Sequence, residues 1–472
     1  MGYEISDGAV ILARLGWSLW SKDIIFLIPP DSKSGTQAWI DAYHDMHPPT
    51  VQPLPLKSGA LQGAVVIEYP FDHLFEGLHI VYDGVNGQLP NLDLFNTAVS
   101  VGSGQMGIST SLQEMWDHYD SYEERLTTIF RGMVKQGFGY ATGAHSSFMP
   151  YHVDAITLQA MGDGWQDEMA LGRTVEGVFR SLNNLLEHLH QSFFLYLLMQ
   201  TNRFVSIGTY LPSAMLIAVN FTIMAIALWM RTGYYNPPAP SANFLGAGDE
   251  KSRTSSSAVV QQKEPVAVAA ANQGANVVER QLALPLSLVV GLHLLGLVPL
   301  YIFNTLYYKH FTIAAYAFVA VDLILPLVLA TLLNYCLTTP PSPQQYVLIK
   351  SFSLLLLGLL LSTLATLNFS LSFIIGLLCT PFSFVSPIPS SGISRPVRRM
   401  LSVLGLLIMN ALSPPVVVLA ACQCFEVDIE EVLVKAAFGW NVWGMWTQVV
   451  VWCVWWPAWL VGGVLLGSLL LS

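Results

Sequence analysis

The pattern of apolar and polar positions divides the chain in two. Through about residue 160, short apolar runs alternate with amphipathic ones. Residues 24–28 form a continuous apolar run closed by Pro29 and Pro30, which suits a strand buried on both faces of a sheet. The runs 64–69 (AVVIEY), 78–82 (LHIVY) and 154–159 (DAITLQ) also predict strands; 8–20, 35–46, 91–100 and 112–135 predict helices. Alternation of this kind implies an α/β fold. Val175, Val178, Phe179, Leu182, Leu185, Leu186 and Leu189 recur at helical spacing, predicting one long amphipathic helix over 168–199. Its last stretch, HLHQSFFLYLL, places aromatic rings where the headgroup level of a membrane would lie.

Beyond that point the apolar runs lengthen. Seven spans are expected, at about 205–230, 282–303, 311–337, 346–367, 369–389, 400–422 and 446–470, each near the roughly 20 residues that cross a bilayer. The fourth and fifth meet at Asn368, as a tight hairpin or a partly re-entrant pair. Residues 232–280 are Ser/Ala/Pro/Gln-rich and aperiodic, which predicts a disordered linker. The domain boundaries follow: 1–165 α/β, 166–204 connecting helix, 205–230 first span, 231–281 linker and 282–472 polytopic.

Composition agrees. The chain has 472 residues, 53% apolar and only 11% charged, against roughly 25% charged in average soluble chains. Residues 1–204 hold 22 acidic and 10 basic side chains, whereas 205–472 hold 9 and 11. Neither part carries the basic surface of a nucleic-acid binder. With 1–204 on the non-cytosolic side, Arg231, Lys251, Arg253, Lys263, Arg280, Lys350, Arg395, Arg398 and Arg399 become cytosolic, and Lys309 and Lys435 lie opposite. That bias puts the acidic domain in a lumen and the C-terminus in the cytosol. All five cysteines (336, 379, 422, 424 and 453) lie in the apolar half, so no disulfide framework is expected in residues 1–204. The start, MGYEIS, fits a myristoylation pattern without a polybasic partner. No signal peptide precedes the acidic domain, which implies a missing front.

Four stretches together resemble one family: SKDIIFLIPPDSKSGTQAWIDAYHD, EGLHIVYDGVNGQLPNLDLFN, HLHQSFFLYLLMQTNRFVSIGTYLP and LNFSLSF. They are similar to the glycosylphosphatidylinositol (GPI) anchor attachment proteins, the large multi-span subunit of the GPI transamidase of the endoplasmic reticulum. The resemblance implies an α/β luminal domain like the di-zinc aminopeptidases, truncated here at the front, above a helical membrane domain. It implies a non-catalytic subunit that binds and presents GPI lipid to precursor proteins, beside a caspase-like partner that holds the nucleophile. A form without the front strands is expected to be poorly active.

In the aminopeptidases, the loop matching residues 29–31 carries paired carboxylates as metal ligand and general base. Here it reads Pro29, Pro30, Asp31, and proline can neither ligate nor take a proton. The resemblance leaves Asp31, Glu68 and His145 as isolated relics, with no metal and no cofactor expected. The alternative, a membrane-anchored metallo-aminopeptidase, would need that lost pair. Asp83, Asn86, Gln88, Asn91 and Asp93 in YDGVNGQLPNLDL either cap and satisfy a loop or face a partner subunit or the GPI headgroup. Within the spans, His293, Asp322 and Asn334 stand out, since intramembrane polar groups are costly and paired or functional. Asp322 is expected to make an interhelical hydrogen bond, with His293 as one candidate partner. His188 and His190 read as interfacial polar residues.

Overall fold

The computed structural model describes residues 20–50, 52–69, 74–184, 194–233, 279–305, 311–337, 339–388, 394–424 and 426–471. The helix expected over 8–20, the His188/His190 pair and most of the linker 232–280 lie outside them.

The first half is α/β, built on a four-stranded mixed sheet in the order β1-β4-β2-β3. Here β1 is Gly63–Glu68, β2 Phe75–Val81, β3 Ser109–Ser111 and β4 Asp154–Gln166. β1 runs parallel to β4, β3 parallel to β2, and β2 antiparallel to β4. One face carries Leu78, Ile80, Ile156 and Leu158, packed on Leu92 and Phe95 of α2 (Leu92–Val99) and on Val175 and Val178 of α4 (Glu168–Asn183). Ala155, on the opposite face, meets Ile40 and Tyr43 of α1 (Ser34–Tyr43). Between them in sequence, α3 (Tyr122–Phe138) opens on a capping box of Ser121 and Glu124. It closes on Gly139 in the left-handed conformation.

Two expectations are corrected here. Residues 24–28 form no strand: they join no ladder, with Phe26 and Ile28 exposed. β1 stays the edge of the sheet, paired only with β4 among the described residues, and an apolar run with no ladder partner is not a strand. The helix expected over 168–199 ends at Asn183. Residues Tyr196–Gln200 (β5) and Arg203–Ser206 (β6) instead pair as a hairpin across Thr201 and Asn202. β-Branched and aromatic residues flanking a short polar turn favour that ladder over another helical turn.

The second half is helical. Among the described residues, five helices are long and apolar enough to cross a membrane. They are α5 (Ile207–Arg231), α6 (Ala283–Thr305, interrupted at Gly296), α7 (Phe311–Cys336), α8 (Pro343–Leu367) and α13 (Thr447–Leu471). Of the seven expected spans, the fifth and the sixth differ from the rest. Residues 369–389 give a 16-residue helix, α9 (Phe369–Phe384), which ends where Val385 turns extended. The run 400–422 is a pair, α10 (Arg395–Ala411) and α11 (Pro414–Cys424), bent by 59°. Pro414 and Pro415 lack the N–H groups that would continue the ladder. Counting the bent pair as one span gives six. α12 (Ile429–Trp443) has no counterpart among the expected spans; Asp428 caps it and Gly444 ends it.

α5 and α8 make the most extensive helix pairing among the described residues. Their crossing depends on Gly358, where a Cβ would meet Thr222 Oγ1 at 2.5 Å and the Ala218 carbonyl at 2.9 Å. α13 is the most enclosed span: 78% of its apolar window is buried, against 22% for α7.

Candidate functional site: a polar joint between the two halves

Chain order brings β2 to an abrupt polar loop. Gly84 N–H bonds the Gln88 carbonyl at 2.9 Å, closing a turn in which Asn86 and Gly87 both take positive φ. Gly87 is required for a second reason. A Cβ there would stand 2.5 Å from Asn368 Nδ2 and 2.8 Å from the Gln136 carbonyl. The loop is thus pressed against the turn joining α8 to α9.

That contact is polar and continuous. Asn368 Nδ2 donates to the carbonyls of Asn86 (3.0 Å) and Gln136 (2.8 Å), while its Oδ1 accepts the Leu371 N–H and caps α9. Asn86 in turn accepts the Trp446 N–H at 2.9 Å and donates to the Gly444 carbonyl at 3.2 Å, reaching the start of α13. Thr447 Oγ1 donates to the Phe138 carbonyl at 3.0 Å, so the end of α3 is fixed to the same place. Gln136 links outward and inward. Its Oε1 accepts from Ser370, and its Nε2 donates to Asp83.

Asp83 is the inner hub. Its carboxyl is buried and receives Gln113 and Gln136, and burial pushes its pKa up to about 6. Its backbone carbonyl receives Thr142, Ser146 and His145. Because a carbonyl only accepts, His145 Nε2 carries the proton, and Nδ1 accepts from Thr157 Oγ1 at 2.7 Å. His145 is fully buried, which depresses its pKa to about 4 and keeps it neutral. His79 shows the opposite tautomer. Nδ1 faces the Gln159 oxygen at 2.7 Å and Nε2 accepts the Glu114 N–H.

The remaining predicted residues fall as follows. Asn91 caps α2 by accepting the Asp93 N–H at 3.1 Å, and its own N–H bonds Asp154. Gln88 and Asp93 are exposed. Asp31 accepts the Ser34 N–H at 2.6 Å and the Ser34 hydroxyl, which lower its pKa and brace the start of α1. Glu68 accepts from Gln159 at 2.6 Å. Asp31, Glu68 and His145 are each held by different partners. Among the described residues, no group of three His, Cys, Asp or Glu side chains has the arrangement of a metal site.

In the helical half, Asp322 accepts the Trp456 indole N–H at 2.7 Å, an interhelical bond, but not one to His293. His293 Nδ1 bonds the Val289 carbonyl on its own helix. Asn334 joins Ser468 and Tyr346. Lys350, counted above among the cytosolic-side cations, is buried in α8. Its ammonium donates to the Ser383 and Val385 carbonyls, where the end of α9 leaves acceptors unpaired.

Sequence reading missed Gln113, Gln136 and Thr157, and it counted Lys350 only as a charge that sets orientation. Single glutamines and threonines carry no periodic signal. Beside the joint lies a crevice of about 20 Å³ lined by Gly87, Leu89, Phe194, Tyr210, Leu367 and Phe369. That is room for a water, not a sugar.

An α/β domain bonded through the 84–88 loop and the end of α3 to a bundle of apolar helices, several long enough to cross a bilayer, has the build of a polytopic membrane protein with a docked globular head. The chain belongs to the Gaa1-like family, GPI transamidase components, whose profile matches residues 11–463. It is 39% identical to the GPI transamidase component gaa1 of Schizosaccharomyces pombe over 223 residues, 46% of this chain and 38% of that protein. It is 35% identical to GPI transamidase component GAA1 of Saccharomyces cerevisiae over 235 residues, 48% of this chain and 37% of that one. The matching stretch therefore spans well under half the length of either relative.

Proposed function

We propose that this chain is a non-catalytic subunit of a GPI transamidase in the endoplasmic reticulum membrane. Its α/β domain is luminal and its C-terminus cytosolic. The complex cleaves a C-terminal signal from a precursor protein and joins the new carboxyl to the ethanolamine amine of GPI. A caspase-like partner supplies the nucleophile; this chain holds the lipid in the membrane plane and helps assemble the complex. The observation that carries this reading is the family match across nearly the whole chain. The absence of any cysteine from residues 1–204 supports a nucleophile elsewhere, as does the complete burial of His145 beneath the Asp83 carbonyl. The polar joint supports a positioning role, because it fixes the head relative to the α8–α9 turn.

The test is capture of the tagged chain from solubilised endoplasmic reticulum membranes. The reading requires the caspase-like subunit and GPI lipid in the eluate. An eluate holding intact chain without them overturns it.

A further inference from the structure

α3 is built inside out. Its buried positions are small or polar: Thr128, Gly132, Gln136 and Gly137. Tyr122, Leu126, Phe130 and Phe138 point outward and are all exposed, each more than 45%, while Ile129, Met133 and Val134 are half-buried. The first three are spaced by four and form a ridge along one side of the helix. A soluble domain gains nothing by presenting such a ridge to water.

The ridge has a direction. Gly137 follows Phe130 by seven residues and Leu126 by eleven, close to two and three whole turns, so the three share a face. At Gly137 that face is already covered, because a Cβ there would lie 3.1 Å from Ile374 and 3.7 Å from the Leu371 nitrogen, both on α9. The face carrying the ridge is therefore the face that rests on the helical half. The other end of α3 is tied to the same level. Asp120, just before the helix, pairs with Arg203 at 3.1 Å, and Arg203 opens the strand that runs into α5 at Ile207. A helix of 17 residues, about 25 Å long, thus has its C-terminal end seated on α9 and its N-terminal flank tied to the strand that leads into α5.

We propose that α3 is an interfacial helix whose Tyr122–Leu126–Phe130 ridge rests in the headgroup layer of the bilayer. This rests on reading the helical half as membrane-spanning. The occupant is lipid, because the ridge continues the face already seated on a membrane hairpin. Tyr and Phe rings also favour that depth. The basic side chains of α3 turn back to the domain. Lys135 pairs with Glu114 at 3.0 Å, and Arg131 donates to the Gln113 and Glu114 carbonyls. Seating the ridge therefore does not require anionic lipid.

The test places a photoreactive benzoylphenylalanine at Phe130, at Leu126 in a second variant, and at the exposed Arg173 on α4 as control. The full chain is reconstituted in phosphatidylcholine vesicles and also illuminated in native membranes. Lipid adducts at 126 and 130 should exceed those at 173 by about fivefold or more in both settings. Both replaced side chains are exposed, so the fold should survive, which an unchanged melting profile verifies. Equal labelling at all three positions overturns the proposal, as does a protein adduct in place of the lipid adduct at 126 and 130 in native membranes. Loss of the adducts when anionic lipid is omitted would refute the charge-independent form. Failure to capture a transamidase partner, by contrast, would leave these adducts unchanged.

Discussion

The α/β head and the helical half bury polar groups in opposite ways. In the head, Asp83, Gln113, Gln136, His145 and Thr157 form one connected cluster that runs outward to Asn368 and Ser370. In the helices, buried polar groups stand apart. Asp322 meets Trp456, Lys350 meets two carbonyls, and Asn334 meets Ser468 and Tyr346. A connected network spreads the consequence of any one loss and fixes a single geometry. An isolated pair in an apolar bundle fixes one helix against another and fails alone. The head therefore holds its position as a unit, while the bundle is held by packing with a few polar rivets.

The contrast is broken most strongly by attacking the packing. Gly358→Leu would drive a side chain into the backbone of α5 and should cost about 3 kcal/mol or more, read as a lowered unfolding midpoint in detergent. An unchanged midpoint in that variant would mean that α5 and α8 do not cross as described.

The head is tested by pH. Asp83 has a folded pKa of about 6, above its unfolded 3.8. Its stabilising contribution is present below about 4 and is lost as pH rises through 6. His145 has a folded pKa of about 4, below its unfolded 6.5. Its contribution is present above 6.5 and is lost as pH falls through 4. Each is worth about 3 kcal/mol at 1.36 kcal/mol per pH unit, and the two slopes oppose. The natural chain should show a nearly flat stability between pH 4 and 6. Asp83→Asn should unmask a rise with pH, and His145→Gln a fall. Parallel slopes in both variants would show that the groups do not titrate as buried neighbours.

The rivets are tested next. Trp456→Phe removes the indole N–H and leaves the buried Asp322 without that partner, a loss of about 2 kcal/mol. Adding Asp322→Leu should recover most of it. If the double variant is no more stable than Trp456→Phe, the pair is not a rivet.

Legibility in the sequence followed the same division. α5, α7, α8 and α13 could be read because apolar runs of that length have one physical solution. β1, β2 and β4 could be read because their runs are short, apolar and rich in β-branched residues. Residues 24–28 carry the same signal but lack a ladder, and pairing is not written in a single run. The hairpin β5–β6 was hidden behind a helical period that runs on to Leu189 although the helix ends at Asn183; Thr201 and Asn202 between apolar runs were a turn signal. The start of α12 was also written, in Asp428 followed by Glu430 and Glu431. Of the site, the Asn86–Gly87 turn stood out from the sequence, as did Asn368 at the α8–α9 junction. That they touch did not, because 282 residues separate them and no local pattern encodes that approach.

The joint itself is tested most directly by backbone hydrogen exchange across residues 84–89, comparing the natural chain with Asn368→Ala. Asn368 supplies the bonds to the Asn86 and Gln136 carbonyls, so its loss should free the turn from the membrane hairpin. The account predicts exchange faster by about tenfold there, equivalent to roughly 1.4 kcal/mol, with β4 unchanged. Unaltered exchange at 84–89 would contradict the claim that the α8–α9 turn holds the head in place.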